Sequence, residues 1–415
     1  MADTKTDVLI AGGGIVGYCL ALALKRAEGA RLAPIVLAPE RHPGHLAAGD
    51  MDPRSYAISA GSVRLLDLIG IWDKVRGDVQ AISDMALTDS RLEDVFRPVR
   101  LTFEGEARPG EPFAHIVPAA LLDQAVAEQV HAEGIQEIAD RVIRFDDDGT
   151  HITILGALGN YAARLLVAAD GANSPIRALA GIATVDWAYG QTGIAATITH
   201  QSPHENRATQ HFLPGGPLAL LPLPDDSEGR HRSSIVWTVP TARAEELLSL
   251  DALDFAIELE QSAGPSLGEM TVLAGPGGFP LDLKLARAFV APRIALVGDA
   301  AHRVHPIAGQ GLNLGLKDVA ALAETVVDAV RLGIDPGSLT TLHGYERWRR
   351  ADTVQLAMAT DAINRLFRID NPILRGVRDL GLSLVDRAGG LKRIVVREAS
   401  GDLGRLPRLI DGAPL

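Results

Sequence analysis

The hydrophobic pattern opens on Asp7–Ala11, a short apolar run ending in glycines, as a buried parallel strand does. Ile15–Arg26 follows with helical spacing and Pro34–Ala38 supplies the next strand, which makes a βαβ unit. Ser62–Ile69 and Leu121–Glu133 space their apolar residues as helices do. Val142–Phe145 and Ile152–Leu155 flank Asp147-Asp148-Gly149, which predicts a hairpin around an Asp-Gly turn. Leu165–Ala169 is another fully apolar strand. From Gln191 to about Pro240 the texture changes. Gly193–Thr199, Leu218–Pro222 and Ser234–Val239 read as strands of a different, largely antiparallel sheet, inserted into the first domain. Arg293–Val297 restores the buried-strand pattern, Leu312–Arg331 is a long helix, and the chain after Pro336 is helical and increasingly basic. Gly275-Pro276-Gly277-Gly278 reads as a loop.

The chain has 415 residues, more than one ordinary domain, and 47% of them are hydrophobic, enough for a large core. A net charge of −12 argues against a general nucleic-acid binder, because phosphate contact needs a basic surface. Cys19 is the single cysteine, so no internal disulfide forms, and its place on a helix reads as packing. Residues 1–7 lack the charged-then-apolar pattern of a signal peptide. The uncharged run Val8–Leu24 is broken by Gly12, Gly13, Gly14 and Gly17, so it reads as strand, turn and helix rather than a membrane span. The expectation is a cytoplasmic protein, with room for peripheral contact at the inner membrane surface.

Three motifs carry chemistry. Gly12-Gly13-Gly14-Ile15-Val16-Gly17 fits G-x-G-x-x-G between a strand and a helix. Its glycines permit a tight turn, close approach to a pyrophosphate and close helix–strand packing, and the helix N-terminus offers free N–H groups. The acid expected some 20 residues on, to bind ribose hydroxyls, is displaced: Ala38 holds its place and Glu40 is the nearest acid, equally readable as a solvated loop residue. The second motif is Asp170-Gly171-Ala172-Asn173-Ser174-Pro175-Ile176-Arg177, where Ser174 and Pro175 suit a helix start. The third runs from Gly298-Asp299 through His305-Pro306-Ile307-Ala308-Gly309-Gln310-Gly311-Leu312-Asn313 to Asp318. A buried strand there delivers an acid at its C-terminal end, followed by a glycine-flanked loop and a helix. His302 and His305 lack further ligands at supporting spacing, so no metal site is expected.

These blocks, in this order from Asp7 to Asp318, resemble the flavoprotein hydroxylases related to para-hydroxybenzoate hydroxylase, and within them the UbiH/UbiF/Coq hydroxylases of ubiquinone biosynthesis. His305–Asp318 is close to that subfamily's signature, and Asp52-Pro53-Arg54 resembles the segment whose arginine reaches FAD. The resemblance implies an α/β fold: a Rossmann-like FAD-binding domain, an inserted, mostly antiparallel β-sheet substrate domain and a C-terminal helical region. The division it suggests is 1–75, 101–188 and 286–335 for the FAD-binding domain, 76–100 and 189–285 for the substrate domain, and 336–415 for the helical region.

The resemblance also implies roles. Gly12, Gly14 and Gly17 would hold the ADP half of FAD and Asp299 its ribityl chain. Gly311, Leu312 and Asn313 would face the pyrimidine ring, and Arg54 would assist near the pyrophosphate or isoalloxazine. Asp170 and Arg177 belong to a block linked to FAD and to transient NAD(P)H, Glu40 is the stand-in for the ribose acid, and His305 and Pro306 are the flavin-facing catalytic candidates. With no second G-x-G-x-x-G before a helix, NAD(P)H would visit, reduce the flavin and leave. The implied reaction is O₂-dependent hydroxylation, through a flavin hydroperoxide, of a prenylated phenol, with other ubiquinone-biosynthesis proteins as candidate partners. Alternatives are a hydroxylase of a soluble aromatic, an FAD halogenase (no W-x-W-x-I-P surrounds Trp187, Trp237 or Trp348) and a non-catalytic flavin-binding assembly subunit. The segment from Ile363 to Leu415 is basic, with Leu380, Leu382, Leu384, Val385 and Leu391 between its charges; it reads as a helical lid, or as a docking surface for anionic lipid or a partner.

Overall fold

The computed structural model describes residues 4–27, 32–39, 51–89, 98–368, 397, 400–402 and 404–415. Its first sheet is built on the apolar runs. Thr4–Ala11 lies between Ile35–Leu37 and Asn160–Ala168, parallel to both, and Gln136–Ile138 continues the sheet beyond Ile35–Leu37. Asn160–Ala168 changes partners along its length: residues 160–163 pair antiparallel with Ile152–Gly156, whereas Leu166–Ala168 pair parallel with Ile294–Leu296. The predicted hairpin is present, joining Val142–Asp147 to Ile152–Gly156. Val8, Leu9, Ile10, Leu165, Leu166 and Val167 are fully buried, as strands covered on both faces require.

Helix Ile15–Arg26 packs on this sheet, and helix Gly311–Arg331 packs against that helix. Their contact is close because Gly315 has no side chain: a Cβ there would sit 2.8 Å from Val16 Cγ2. Helix Leu339–Arg368 is joined to Gly311–Arg331 by a buried ion pair between Arg349 and Asp318, Nε to Oδ1 at 2.8 Å.

The second sheet is the inserted one. Its order runs His302–Arg303, Met270–Ala286, Thr184–His200, His231–Pro240, Gly216–Leu223, Arg207–Leu213, Asp84–Asp89, Val99–Glu104. All its pairings are antiparallel except that of Arg207–Leu213 with Asp84–Asp89. Val99–Glu104 carries this sheet four residues past Arg100.

One reading is corrected. Gly275-Pro276-Gly277-Gly278 is not a loop but part of strand Met270–Ala286, with Gly277 opposite Ala195 and Gly278 opposite Ile194. The register shifts between Ala195 and Thr197, where Gly275 takes φ +85° and leaves a Cβ only 2.9 Å from Ala195 O and 3.1 Å from Pro53 Cβ. Glycine and proline here mark a bulge where the strand bends around a neighbouring segment, rather than the strand's end.

The C-terminus is partly core. Arg408–Asp411 is helical, Leu409, Ile410 and Leu415 are buried in the main cluster, and Arg64 Nε donates to Ile410 O at 2.8 Å. The described arginines of the basic segment bind their own chain: Arg365 pairs with Asp361, Arg408 with Asp328, and Arg405 lies over the Trp348 ring. Arg375, Arg378, Arg387, Lys392, Arg393 and the apolar set Leu380–Val396 lie outside the described residues. No helix among the described residues is long and apolar enough to cross a membrane.

Candidate active site

Three adjacent parallel strands bring the three motifs together. Thr4–Ala11 ends at Gly12, Asn160–Ala168 at Ala169-Asp170, and Ile294–Leu296 leads to Gly298-Asp299, all at the C-terminal edge of the first sheet. Ligands of open α/β sheets sit at that edge.

The glycines of the first motif divide the work as their geometry dictates. Gly12 has φ +127° and a Cβ there would lie 2.1 Å from Ala169 O, so the turn packs against the neighbouring strand end. A Cβ on Gly17 would meet Gly12 O at 2.0 Å, so the helix closes down on the turn. Gly14, the N-cap of helix Ile15–Arg26, has nothing within 4 Å of its Cβ position. The open side of the turn is therefore Gly14's, where free N–H groups and the positive helix end face outward.

That side opens into a groove of about 960 Å³ lined by Gly12–Gly14, Leu37–Pro39, Arg141 and Asp170. Ala38 is buried and fills the place of the ribose acid, because a Cβ on Gly13 would already come within 2.5 Å of Ala38 Cβ. Glu40 lies outside the described residues. Asp140 also borders the groove, but its carboxylate is committed to its own loop: it accepts from the N–H groups of Arg141 and Ala157 and from Tyr161 OH at 2.7–2.8 Å. Burial alone would raise its pKa, and these donors lower it. Asp170 is different. Oδ2 accepts from Ile176 N–H at 3.3 Å, while Oδ1 is buried without a hydrogen-bond partner among the described residues, and burial raises the pKa of the carboxyl.

On the other side of the first helical turn lies a cavity of about 450 Å³. Its floor is made by Arg54, Tyr56, Gly298-Asp299, Pro306, Gly311 and Leu312, and its wall by one face of the second sheet. Asp299 is exposed towards this cavity; the protein around it displaces enough water to raise its pKa, against the pull of His302 and Arg303. Arg54 grips Asp52, Nη2 to Oδ2 at 2.7 Å, and holds that carboxyl below its ordinary pKa despite burial. Arg303 pairs with Asp282 at 2.8 Å. The start of helix Gly311–Arg331 points its positive end at the cavity, suited to stabilising an anion there.

Three predicted site residues stand behind the walls. Arg177 is buried and donates to Ala300 O and Ala172 O, each at 2.8 Å, so it ties the second motif to the third. Asn313 is buried too; its amide donates to Ala57 O at 2.8 Å and accepts from Ser59 N–H at 3.0 Å, clamping the helix start to strand Ser55–Ser59. His305 is fully buried, edge-on to Tyr189 with ring centroids 5.0 Å apart, while its neighbour Pro306 reaches the cavity.

Sequence reading missed the brace beneath. Asp318 Oδ2 accepts from Gly298 N–H at 3.0 Å and meets His302 Nε2 at 2.5 Å, while Oδ1 takes Arg349. Burial would raise the Asp318 pKa, but His302 and Arg349 outweigh it and leave the pKa lowered. Asp318 and His302 are in the third motif, but nothing local marked Arg349. No group of three or more potential metal ligands is present among the described residues.

The site fits FAD on its own geometry: a glycine turn open only at Gly14, an orphaned Asp170 oxygen at the groove, and an acid and a helix start at the adjoining cavity. Comparison with known proteins agrees. Residues 5–358 match the FAD binding domain family. The chain is 40% identical over 421 residues to the Rhodospirillum rubrum protein named ubiquinone hydroxylase UbiL, covering 100% of this chain and 94% of that protein. It is 34% identical to the Escherichia coli 3-demethoxyubiquinol 3-hydroxylase, covering 97% of this chain and 100% of the relative. The fold matches the crystal structure of p-nitrophenol 4-monooxygenase PnpA from Pseudomonas putida with TM-score 0.77 at 19% identity, over 97% of this chain and 100% of that one. The sequence order of the three motifs, their meeting at one sheet edge and these matches converge: the chain belongs to the FAD binding domain family and, within it, to the FAD-dependent hydroxylases of ubiquinone biosynthesis.

Proposed function

We propose that this chain hydroxylates the aromatic ring of a prenylated phenol intermediate of ubiquinone biosynthesis. Overall, NAD(P)H, a proton, O₂ and the aromatic C–H become NAD(P)⁺, water and the phenolic product. The observation that carries this reading is a cavity, across one helical turn from the glycine groove, whose far wall is largely apolar, including Met85, Leu221, Val236 and Phe279. A prenylated ring suits such a wall better than a charged, soluble aromatic does.

When bound, FAD supplies the redox chemistry and O₂ activation. The chain's residues bind, orient and exclude water. In this proposal Gly12 and Gly17 shape the turn, Gly14 would admit the diphosphate, and Asp299 would accept from the ribityl hydroxyls. Gly311 and Leu312, at the helix start, would face the bound cofactor with the positive end of the helix, and Arg54, which lines the same cavity, would add a positive charge there. Asp170 would offer its Oδ1 to the cofactor, and Glu40 would be the candidate for the ribose hydroxyls. Arg177, Asn313 and His305 act as positioning residues. The enclosing sheet keeps water from the reacting ring, since a wet site would release hydrogen peroxide.

Mass spectrometry of the quinone pool in cells lacking the protein tests the substrate class. Accumulation of a prenylated phenol one hydroxyl short supports it, and an unchanged pool contradicts it. Peripheral membrane contact belongs to the same proposal, because a prenylated phenol is nearly insoluble in water. The basic candidates for that contact are Arg375, Arg378, Arg387, Lys392 and Arg393, each contributing about 1 kcal/mol near anionic lipid. Deleting Gly389–Leu415 is a poor test, because it removes core residues Leu409, Ile410 and Leu415. Neutralising those five side chains and sedimenting the protein with anionic liposomes at low and high salt is the better one. Binding that is lost in the variant and screened by salt supports the contact; a protein that stays in the supernatant at low salt refutes it.

A further inference from the structure

The wall of the cavity is one face of the second sheet, and strand register puts its side chains in rows. Gln210 lies opposite Ala219, Ala219 opposite Val236, and Val236 opposite Ala195. All four line the cavity. Three of them are small or aliphatic and one is a primary amide. Gln210 is 6% exposed, its side chain lines the cavity, and its amide makes no hydrogen bond among the described residues. The next residue, His211, points to the opposite face, where its Nδ1 meets Thr88 Oγ1 at 2.8 Å. An amide that faces a cavity without a protein partner is free to bond a ligand there, and a ligand that dried the site without doing so would cost about 1–3 kcal/mol.

We propose that Gln210 is the specificity-determining residue for the ring oxygen of the substrate: its amide oxygen accepts the hydrogen bond of the phenolic O–H. The proposal rests on the hydroxylase reading above and names the group that recognises its substrate. Chemistry fixes the direction. An O–H that donates to a neutral acceptor leaves the ring electron-rich, as attack by an electrophilic oxygen needs, whereas a donor placed on the phenol oxygen would draw density away. The apolar residues of the row accommodate the carbon substituents, and the amide sets the ring's rotation among them. A site built to bond a hydroxyl discriminates strongly against an analogue without it, because its own polar group is then left unpaired.

The test titrates the FAD-loaded enzyme with a geranyl-substituted phenol and with its methyl ether, following the flavin spectrum, in wild type and Gln210→Leu. Gln210→Met, closer to glutamine in length, repeats the measurement in case leucine disturbs the fold. Wild type is expected to prefer the phenol to its ether by roughly tenfold, the worth of one hydrogen bond in a dry site. In both variants that preference collapses towards unity while FAD content stays at the wild-type level, and more of the NAD(P)H consumed ends in hydrogen peroxide. A variant that holds FAD and keeps the wild-type preference overturns the role of Gln210 and leaves the hydroxylase reading standing. A wild type that binds neither compound overturns the substrate reading itself and the proposal with it.

Discussion

The groove beside Gly12–Gly14 and the cavity under the second sheet lie on either side of one helical turn, yet they are made in opposite ways. The groove is built around backbone, a turn of consecutive glycines between a strand end and a helix start, with residues of 37–39, 140–143 and 169–179 completing its sides. The cavity wall is side chains, brought from Met85, Gln210, Ala219, Val236 and Phe279 on five strands by sheet topology. Backbone recognition suits a cofactor that does not vary. A side-chain wall can be reshaped residue by residue, and this is the part of the fold in which substrate choice can change while cofactor binding is kept.

The comparison can be broken most severely at what the two regions share. Asp318 braces the Gly298 turn between them, and Asp318→Asn leaves Arg349 buried and poorly paired, an expected loss of roughly 3–5 kcal/mol in unfolding free energy. The wild-type pH profile carries the same signature. The folded pKa of Asp318 lies below the usual 3.8, so its contribution is complete above that value and is lost as pH falls through the lower folded pKa. Thermal denaturation from pH 7 down to acid should show that limb in wild type and a flatter one in the variant.

Asp299→Ala sits on the cavity side of the brace and should separate binding from folding. Loss of a charged hydrogen bond costs roughly 1.5–3 kcal/mol, one to two decades in FAD affinity, with little change in apo-protein stability. Flavin titration beside apo-protein melting checks it; undiminished FAD affinity removes Asp299 from the site.

Two glycines sharpen the account of the groove. Gly17→Ala forces a methyl against Gly12 O and should lower stability by roughly 1–3 kcal/mol along with FAD binding. Gly14→Ala meets no protein atom within 4 Å, so stability should hold while FAD affinity falls. Equal melting temperatures of the two apo-variants would contradict that division. The smallest effect belongs to the sheet wall: Thr238→Val, remote from the glycine turn, should leave FAD affinity within about 0.5 kcal/mol of wild type while it changes the binding of aromatic probes.

The same contrast explains what could be read from the sequence. The buried halves of strands Thr4–Ala11 and Asn160–Ala168, read as Asp7–Ala11 and Leu165–Ala169, the Asp-Gly hairpin and the helix read as Leu312–Arg331 announced themselves because burial and period are local properties. The glycine motif was legible for the same reason. Arg177 and Asn313 were visible as motif members, but motif membership does not show whether a side chain faces the ligand or staples its wall; here both turn to backbone carbonyls. Strand Met270–Ala286 was hidden because a bend at Gly275 interrupts its pattern with turn residues. Gln210 and Arg349 were invisible because their meaning depends on partners far away along the chain: the sheet row of Ala219 and Val236 for one, Asp318 for the other.

The central claim is that the glycine groove and the sheet-walled cavity work together to put oxygen on a prenylated phenol. The direct test mixes the purified, FAD-loaded protein with NAD(P)H, O₂ and a short-chain prenylated phenol, and compares O₂ consumed with hydroxylated product by mass spectrometry. The account predicts a yellow protein that forms close to one hydroxylated phenol per O₂, with little hydrogen peroxide. A protein that cannot be loaded with FAD, or one that turns all its O₂ into hydrogen peroxide with every prenylated phenol tried, would contradict it.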